Sequence, residues 1–257
     1  MKNIFKITAA FVLTLTLLTG CSKPQPDPTV ATEPHAATTA PATQASAEVL
    51  VAETQSTVPY DIDGVYARQI ERYYTAISQQ WDENAYWDHE MSSLAVYYYD
   101  GTPLDNVGFT FMDLDGDGIQ ELIIGAILNS RRDPLVFEIW TTKNDTPVML
   151  AQSGSHNRYY LQYSEDDELW SVAYEAENGA ANRAVYYLQL ADGEFQVIQG
   201  IVFDAFASES DPWFMAYDLD WDVSNDMPID ADTANAVMEA GRYIYASAEY
   251  FPYSLYK

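Results

Sequence analysis

The sequence is poor in cysteine and in positive charge. Its 257 residues include one cysteine, and 12 lysines and arginines stand against 39 aspartates and glutamates, which gives a formal net charge of −27. A single cysteine cannot form an internal disulfide or a zinc site built from several thiolates. The phosphates of nucleic acids would repel a chain this acidic, as would an anionic membrane surface, so we expect no nucleic-acid partner.

The apolar run near the N-terminus is too short to span a membrane. It extends from Ile7 to Thr19 and follows Lys2 and Lys6. At about 1.5 Å per residue it falls short of a hydrocarbon core of about 30 Å. Positive charge followed by a short apolar segment is typical of a secretory signal peptide. The segment ends in the residues LTGC, at positions 18–21, and this ending resembles the lipobox of bacterial lipoproteins.

The lipobox resemblance implies that the chain is cleaved before Cys21 and that the Cys21 sulfur carries a diacylglyceryl group. Two acyl chains anchor a protein stably, because each buried CH₂ contributes about 0.8 kcal/mol. We therefore expect residues 1–20 to be a lipoprotein signal peptide. The mature chain would be lipid-anchored at the extracytoplasmic face of the cell membrane. An ordinary secretory signal with a chance cysteine is the alternative.

Residues 21–59 differ in composition from the rest of the chain. The segment from Ser22 to Pro59 is rich in proline, threonine, alanine and serine, and all 6 tryptophans and all 20 tyrosines lie beyond it. So little bulky apolar surface cannot offset the conformational entropy that folding would cost. We predict that the lipidated cysteine is followed by a disordered tether up to residue 59, and that residues 60–257 form a single domain.

Apolar periodicity predicts helices near both ends of this domain. The first helix would be capped by Asp61 or Asp63, and its apolar face comprises Ile70, Tyr73, Tyr74, Ile77 and Trp81. A second, weaker helix is predicted from Tyr86 to Tyr97. The last helix is predicted from Asp232 to Ala248, with an apolar face of Ala236, Val237, Ala240, Tyr243 and Ile244.

The middle of the domain has strand patterns at nearly regular spacing. Asn144-Asp145 and Ala191–Gly193 have the composition of hairpin turns. The sequence therefore predicts an α+β fold, an antiparallel β meander with the N-terminal and C-terminal helices packed on it. The predicted strands are Val107–Met112, Glu121–Leu128, Leu135–Thr142, Pro147–Gln152, Arg158–Tyr163, Glu168–Tyr174, Arg183–Leu190 and Phe195–Phe203.

The strongest motif is an aspartate loop at residues 113–124, which reads DLDGDGIQELII. Calcium takes 6–8 oxygen ligands, and a tight loop turns the side chains at alternate positions inward around one ion. Gly118, at the sixth position, permits the sharp bend. Four carboxylates without a cation would repel one another. The sequence predicts a structural calcium site with five ligands, namely Asp113, Asp115, Asp117, the Ile119 carbonyl and Glu121.

The motif departs from an EF-hand, because its twelfth position is Ile124 and not a bidentate glutamate. It resembles the calcium loops of FG-GAP-type repeats, which lie between β-strands. A propeller of such repeats needs several copies, and DxDGDG occurs once. The run Asp218–Asp222 (DLDWD) lacks the glycines and is either a second cation site or a solvated acidic turn. For loop 113–124 itself, an acidic hairpin without an ion is the alternative, and magnesium suits it less well.

A wider resemblance follows from the order of these features. Lipobox, Thr/Pro-rich tether, aromatic helix, the aspartate loop, an EIW strand and a C-terminal helix before FPYS succeed one another along the chain. This order is similar to that of uncharacterised lipoproteins of Gram-positive anaerobes. The resemblance supports the fold and the location and implies no activity.

Catalytic patterns are weak. Ser155 and His156 are neighbours, which does not favour a proton relay, and no GxSxG elbow is present. His89 lies between Asp88 and Glu90, and adjacent residues on a helix point to different faces. Carboxylate pairs are so abundant that they do not identify a glycosidase-type acid and base.

Consecutive tyrosines at 97–99, 159–160 and 186–187 indicate either core packing or an exposed aromatic platform. We therefore favour a surface-anchored, calcium-stabilised module without catalytic residues, which binds an extracellular glycan or protein. The alternative is an extracytoplasmic hydrolase that uses carboxylates.

Overall fold

The computed structural model describes residues 64–127, 134–164, 169–207, 210, 212–243, 245–246 and 248–257. The predicted signal peptide, Cys21, the tether and the caps Asp61 and Asp63 lie outside these residues. Within the described part of the chain, no helix is both long and apolar enough to cross a membrane.

The described residues form mainly one antiparallel β-sheet of eleven strands. From β1 to β10, each strand pairs with the next strand in sequence, except that β4 and β5 do not pair and instead share one edge of β3. The last strand, β11, returns to pair with β1. The prediction of an antiparallel meander with a few helices is confirmed at this level. The strands are β1 Val107–Met112, β2 Glu121–Ala126, β3 Leu135–Lys143, β4 Thr146–Gln152, β5 Asn157–Ser164, β6 Leu169–Asn178, β7 Asn182–Ala191, β8 Glu194–Asp204, β9 Trp213–Ala216, β10 Met227–Ile229 and β11 Phe251–Pro252.

The hairpin turns have the backbone geometry that tight connections require. Asn144 and Asp145 have φ of 53° and 56°, and Asp192 and Gly193 have φ of 55° and 72°. Positive φ at both central residues is the mark of a type I′ turn, whose twist matches that of the flanking strands. The predicted turns between β3 and β4 and between β7 and β8 are therefore confirmed.

Helix α1 (Ala67–Ser78) buries one apolar face against the sheet. Ile70, Tyr73 and Ile77 are buried in the same hydrophobic cluster as Phe109 of β1 and Phe137 of β3. The helix begins after Tyr66, which is its N-cap residue, so the predicted cap at Asp61 or Asp63 is wrong. The hydroxyl of Tyr73 donates to the Glu138 carboxylate at 2.8 Å.

Glu138 is buried on β3, at 1% exposure. Its carboxylate also accepts hydrogen bonds from the Ser92 amide at 3.2 Å, Trp140 Nε1 at 2.8 Å and Gln152 Nε2 at 3.2 Å. A buried carboxylate is tolerated when hydrogen bonds replace its lost water. This network joins α1 and the segment after α2 to strands β3 and β4.

The predicted helix from Tyr86 to Tyr97 is wrong in extent. The chain forms α2 (Glu83–Asp88) and then a separate 3₁₀ helix, Ser93–Tyr98. Between them Glu90 has φ of 55°, which a right-handed helix does not accommodate. The short helix α3 (Pro103–Asn106) then leads into β1.

The C-terminal helix α4 spans Ala231–Tyr243 and ends earlier than predicted. Its inward face carries Ala234, Val237 and Met238. Ala236 and Ala240, which the sequence placed on the apolar face, are exposed.

The sheet is curved. One cleft is lined both by the β1–β2 loop, through Asp115 and Asp117, and by the β7–β8 turn, through Asp192 and Glu194. Strands β2 and β7 are separated by β3, β5 and β6 in the sheet. Four strand spacings of about 4.8 Å would hold them roughly 19 Å apart in a flat sheet. The face opposite α1 is therefore concave, and a second hydrophobic cluster packs inside it, including Ile123, Leu161 and Tyr186.

Candidate metal centre

The aspartate loop connects β1 to β2. Met112 and Glu121 pair directly across the hairpin, so residues 113–120 form the whole connection. Gly116 and Gly118 have φ of 76° and 88°, values that side chains with a Cβ rarely adopt. The two glycines let the backbone reverse twice within a few residues and turn its side chains toward one point.

Asp113, Asp115 and Asp117 converge at this point. One carboxylate oxygen from each lies within 4.8 Å of the other two. Asp113 is the centre of the loop's hydrogen bonds: Oδ1 accepts from the amides of Gly116 at 2.7 Å and Asp117 at 3.1 Å, and Oδ2 accepts from Gly118 at 3.0 Å. The loop is folded around its own carboxylates, and the aspartate part of the predicted ligand set is brought together.

The electrostatics of the cluster favour a cation. Burial, together with the neighbouring charges of Asp117 and Asp113, raises the pKa of the Asp115 carboxyl. Carboxylates this close destabilise one another in the charged form, and a divalent ion would reverse that interaction. Oxygen ligands alone suit a hard cation such as calcium or magnesium. Among the described residues, no other group of three or more acidic, histidine or cysteine side chains is placed to hold a metal ion.

Glu121 has a different position from the three aspartates. Its side chain is buried, and Oε2 accepts from the Leu114 amide at 2.9 Å while Oε1 accepts from Thr141 Oγ1 at 2.9 Å. Burial raises the pKa of Glu121, and these two hydrogen bonds oppose the rise. Glu121 therefore joins the start of the loop to β3, and its predicted role as a ligand stays a prediction.

The Ile119 carbonyl also stays a predicted ligand. The Ile119 amide donates to Asp117 Oδ1 at 2.7 Å, and its side chain is 39% exposed. The next residue, Gln120, accepts a hydrogen bond through its carbonyl from the Tyr66 hydroxyl at 3.0 Å. Tyr66, the N-cap residue of α1, thus fixes the C-terminal end of the loop.

Two supporting residues were missed by sequence reasoning. In the sequence, Tyr66 looks like one more aromatic residue near a helix. In the structure, its ring packs on Phe111 of β1 with centroids 5.8 Å apart. Thr141 reads as an ordinary strand residue of β3. Their contacts with the loop depend on strand pairing and helix docking, for which a single sequence carries no local signal.

The weaker candidates from the sequence, His89, His156 and the run Asp218–Asp222, each contact neighbouring residues in the fold. The His89 ring stacks on Trp81 at 4.5 Å. His156 lies in the turn between β4 and β5, where its carbonyl accepts from the Glu177 amide at 2.8 Å. In the run Asp218–Asp222, Asp220 Oδ1 accepts from the Asp222 amide at 2.8 Å.

A cleft of about 390 Å³ opens beside the aspartate loop. We call it the loop cleft; it is lined by Asp115, Asp117, Lys143, Tyr159, Phe195 and Leu219, among other residues. Its volume lies in the range of small-molecule sites. Comparison with protein-family models, curated proteins and solved structures finds no match.

Proposed function

We propose that this chain is an extracytoplasmic lipoprotein whose folded domain is stabilised by one calcium ion and binds an extracellular glycan or protein. The observation that carries the proposal is the convergence of Asp113, Asp115 and Asp117 within 4.8 Å. Clustered carboxylates at the surface are costly without a counterion, and calcium is the hard cation that tolerates an irregular oxygen shell.

Three aspartates would hold the ion, and the Ile119 carbonyl and Glu121 are the proposed additional ligands. Calcium takes more oxygens than three carboxylates supply with one atom each. Water, or a ligand oxygen, would complete the shell. The ion would fix the β1–β2 connection and so the register of the two strands, since metal binding to a folded loop adds directly to folding stability.

The location and the arrangement of the domain complete the proposal. The LTGC sequence ending at Cys21 supports lipid anchoring, and the proline- and threonine-rich segment after it supports a tether that separates domain and membrane. The domain would carry its two longest helices, α1 and α4, near its two ends and packed on one sheet. In this arrangement the concave face opposite α1 is left for a ligand.

A thermal melt in calcium tests the ion. At calcium about 100-fold above the dissociation constant, we expect the melting temperature to rise by about 5–10 °C. Asp115→Asn should remove most of that rise, because it takes one charge out of the cluster. Asp145→Asn is the matched control, because it makes the same charge change in the β3–β4 turn, at a positive φ that asparagine tolerates. An equal loss of the calcium response in both variants would contradict the site.

Cell fractionation tests the anchor. The natural chain should sediment with membranes, and Cys21→Ala should appear in the soluble fraction, because the acyl chains supply the membrane affinity. Continued sedimentation of Cys21→Ala after a high-salt wash would contradict lipidation.

A further inference from the structure

A second cleft opens on the concave face, and it has a volume of about 430 Å³. We call it the tryptophan cleft; it is lined by Trp221, Tyr174, His156, Asn157, Glu177 and Asn178, among others. Trp221 and Tyr174 pack against the same hydrophobic cluster as Tyr159 and Phe195 of the loop cleft. Both clefts therefore belong to one face of the sheet.

The two clefts adjoin. Tyr159 lines the loop cleft and Tyr174 lines the tryptophan cleft, and their rings stack with centroids 4.6 Å apart. Leu219 and Trp221, one in each cleft, are two positions apart in one loop. The Tyr186 hydroxyl fixes this loop by donating to the Asp220 carbonyl at 2.9 Å. The two clefts therefore lie next to each other, with the stacked rings of Tyr159 and Tyr174 at their boundary.

The lining combines apolar surface with hydrogen-bonding groups. Ile119, Val148 and Leu219, which line the loop cleft, are 39%, 38% and 47% exposed, respectively. The tryptophan cleft adds an indole ring and three exposed polar side chains, those of His156, Glu177 and Asn178. Apolar walls with a few hydrogen-bonding groups are the usual character of a ligand site. A ring with an apolar C–H face and a rim of hydroxyls matches this lining.

Charge decides which ligands fit. The loop cleft holds four carboxylates, those of Asp115, Asp117, Asp192 and Glu194, against Lys143 as its one basic lining residue. With the proposed calcium ion on Asp115 and Asp117, the carboxylates of Asp192 and Glu194 still outnumber Lys143. The tryptophan cleft adds Glu177. Such an excess of negative charge repels phosphate- or carboxylate-bearing polymers. A neutral polyhydroxylated chain is not repelled, and its hydroxyls can donate to the carboxylates.

We propose that the loop cleft and the tryptophan cleft are adjoining subsites for a neutral oligosaccharide, with one sugar ring stacked on Trp221 and the chain continuing past Tyr159 toward the aspartate loop. This inference rests on the proposed binding function and selects a glycan as the ligand. The amphipathic aromatic rings supply contact area at low cost in side-chain entropy, and the polar rim sets orientation.

Calorimetric titration of the full chain, held in a detergent without a sugar headgroup, tests the inference. The probes are cellotetraose, maltotetraose, mannotetraose and the fully N-acetylated tetramer of chitin, with tetragalacturonate as an anionic probe and the corresponding disaccharides for length. We expect at least one neutral tetrasaccharide to bind at about 1 mM or tighter. It should bind about tenfold more tightly than its disaccharide, because it occupies both subsites, and tetragalacturonate should not bind.

Trp221→Ala should weaken that binding about tenfold or more, and Trp221→Phe should restore part of it, because a smaller ring still stacks. Trp87→Ala is the matched control: Trp87 is 58% exposed on α2 and lines neither cleft. Melting curves confirm that each variant is folded. No binding by any neutral tetrasaccharide, equal losses in Trp87→Ala and Trp221→Ala, or preference for tetragalacturonate would each overturn the inference.

Parallel titrations with calcium and with chelator keep the two proposals apart. A chain that binds calcium but no tetrasaccharide would contradict the glycan subsites and leave the calcium-stabilised module intact. A chain that binds a tetrasaccharide through Trp221 but takes up no calcium would contradict the metal centre alone. Release of shorter sugars during the titration would show that the clefts hydrolyse the chain, and this result would overturn a binding-only role.

Discussion

Two loops of this protein begin with the same three residues and differ in what they form. Residues 113–118 read DLDGDG and residues 218–222 read DLDWD. In the first loop the aspartates converge within 4.8 Å. The aspartates of the second loop form no such group among the described residues. Asp220 accepts from the Asp222 amide, and Asp222 accepts from the Ser224 amide. Alternating aspartates are therefore not sufficient to gather carboxylates around one point.

Glycine accounts for the difference. Gly116 and Gly118 adopt positive φ in the first loop, whereas no residue of the second loop has positive φ. Trp221 occupies the position that corresponds to Gly116, and its ring packs against the hydrophobic cluster of the concave face. The second loop thus directs a large ring toward a cleft. The acidic side chains of the second loop also affect a nearby carboxyl. Burial and the charges of Asp218, Asp220 and Asp222 raise the pKa of Asp226.

Among the changes that test this difference between the two loops, replacing a glycine of the first loop is expected to have the largest effect. Gly118→Ala meets no atom within 4 Å of the added Cβ, so its cost is the backbone strain at φ of 88°, about 1–2 kcal/mol. Relief of that strain would move Asp117 away from Asp113. We expect the variant to lose most of the calcium-dependent rise in melting temperature, measured by calorimetry with calcium and with chelator.

Gly179→Ala is the control for strain alone. Gly179 has φ of 72° in the turn between β6 and β7 and also has open space around a Cβ. This variant should lose a similar amount of stability without calcium and keep the full calcium response. Loss of the calcium response in both glycine variants, or in neither, would show that glycine geometry does not distinguish the loop.

The strands were predictable because each carries its own signal. Strands β1 to β8 coincide with the predicted segments to within a few residues at each end. Strands β9, β10 and β11 were missed. They have 4, 3 and 2 residues, too few for an alternating pattern, and pairing with a neighbouring strand creates them.

Helix ends and side-chain partners were less predictable, because distant residues determine them. After α4 the chain turns to follow β5: Gln162 Nε2 donates to the Gly241 carbonyl at 2.7 Å, and the Ala246 amide donates to the Leu161 carbonyl at 2.9 Å. These contacts stop the helix at Tyr243, although the apolar spacing continues. In the candidate site, the aspartate spacing predicts the cluster, but the bond between Glu121 and Thr141 depends on strand pairing.

The clefts were the least predictable feature. They exist because the sheet curves until the β7–β8 turn reaches the aspartate loop, and because the second aspartate run lies against the concave face. Neither arrangement has a local signature. The sequence indicated abundant tyrosine and tryptophan, and it did not identify Trp221, Tyr174, Tyr159 and Phe195 as lining residues of one face.

The number of bound ions tests most directly whether one aspartate loop gathers a cation and the other does not. Equilibrium dialysis of the full chain against calcium, with metal and protein quantified, should give one ion per chain. Asp220→Asn, the change with the smallest expected effect, should also give one, because Asp220 does not belong to the converging group of Asp113, Asp115 and Asp117. Asp115→Asn should give close to none at the same free calcium. No bound ion in the natural chain, or two ions with one lost in Asp220→Asn, would contradict this assignment.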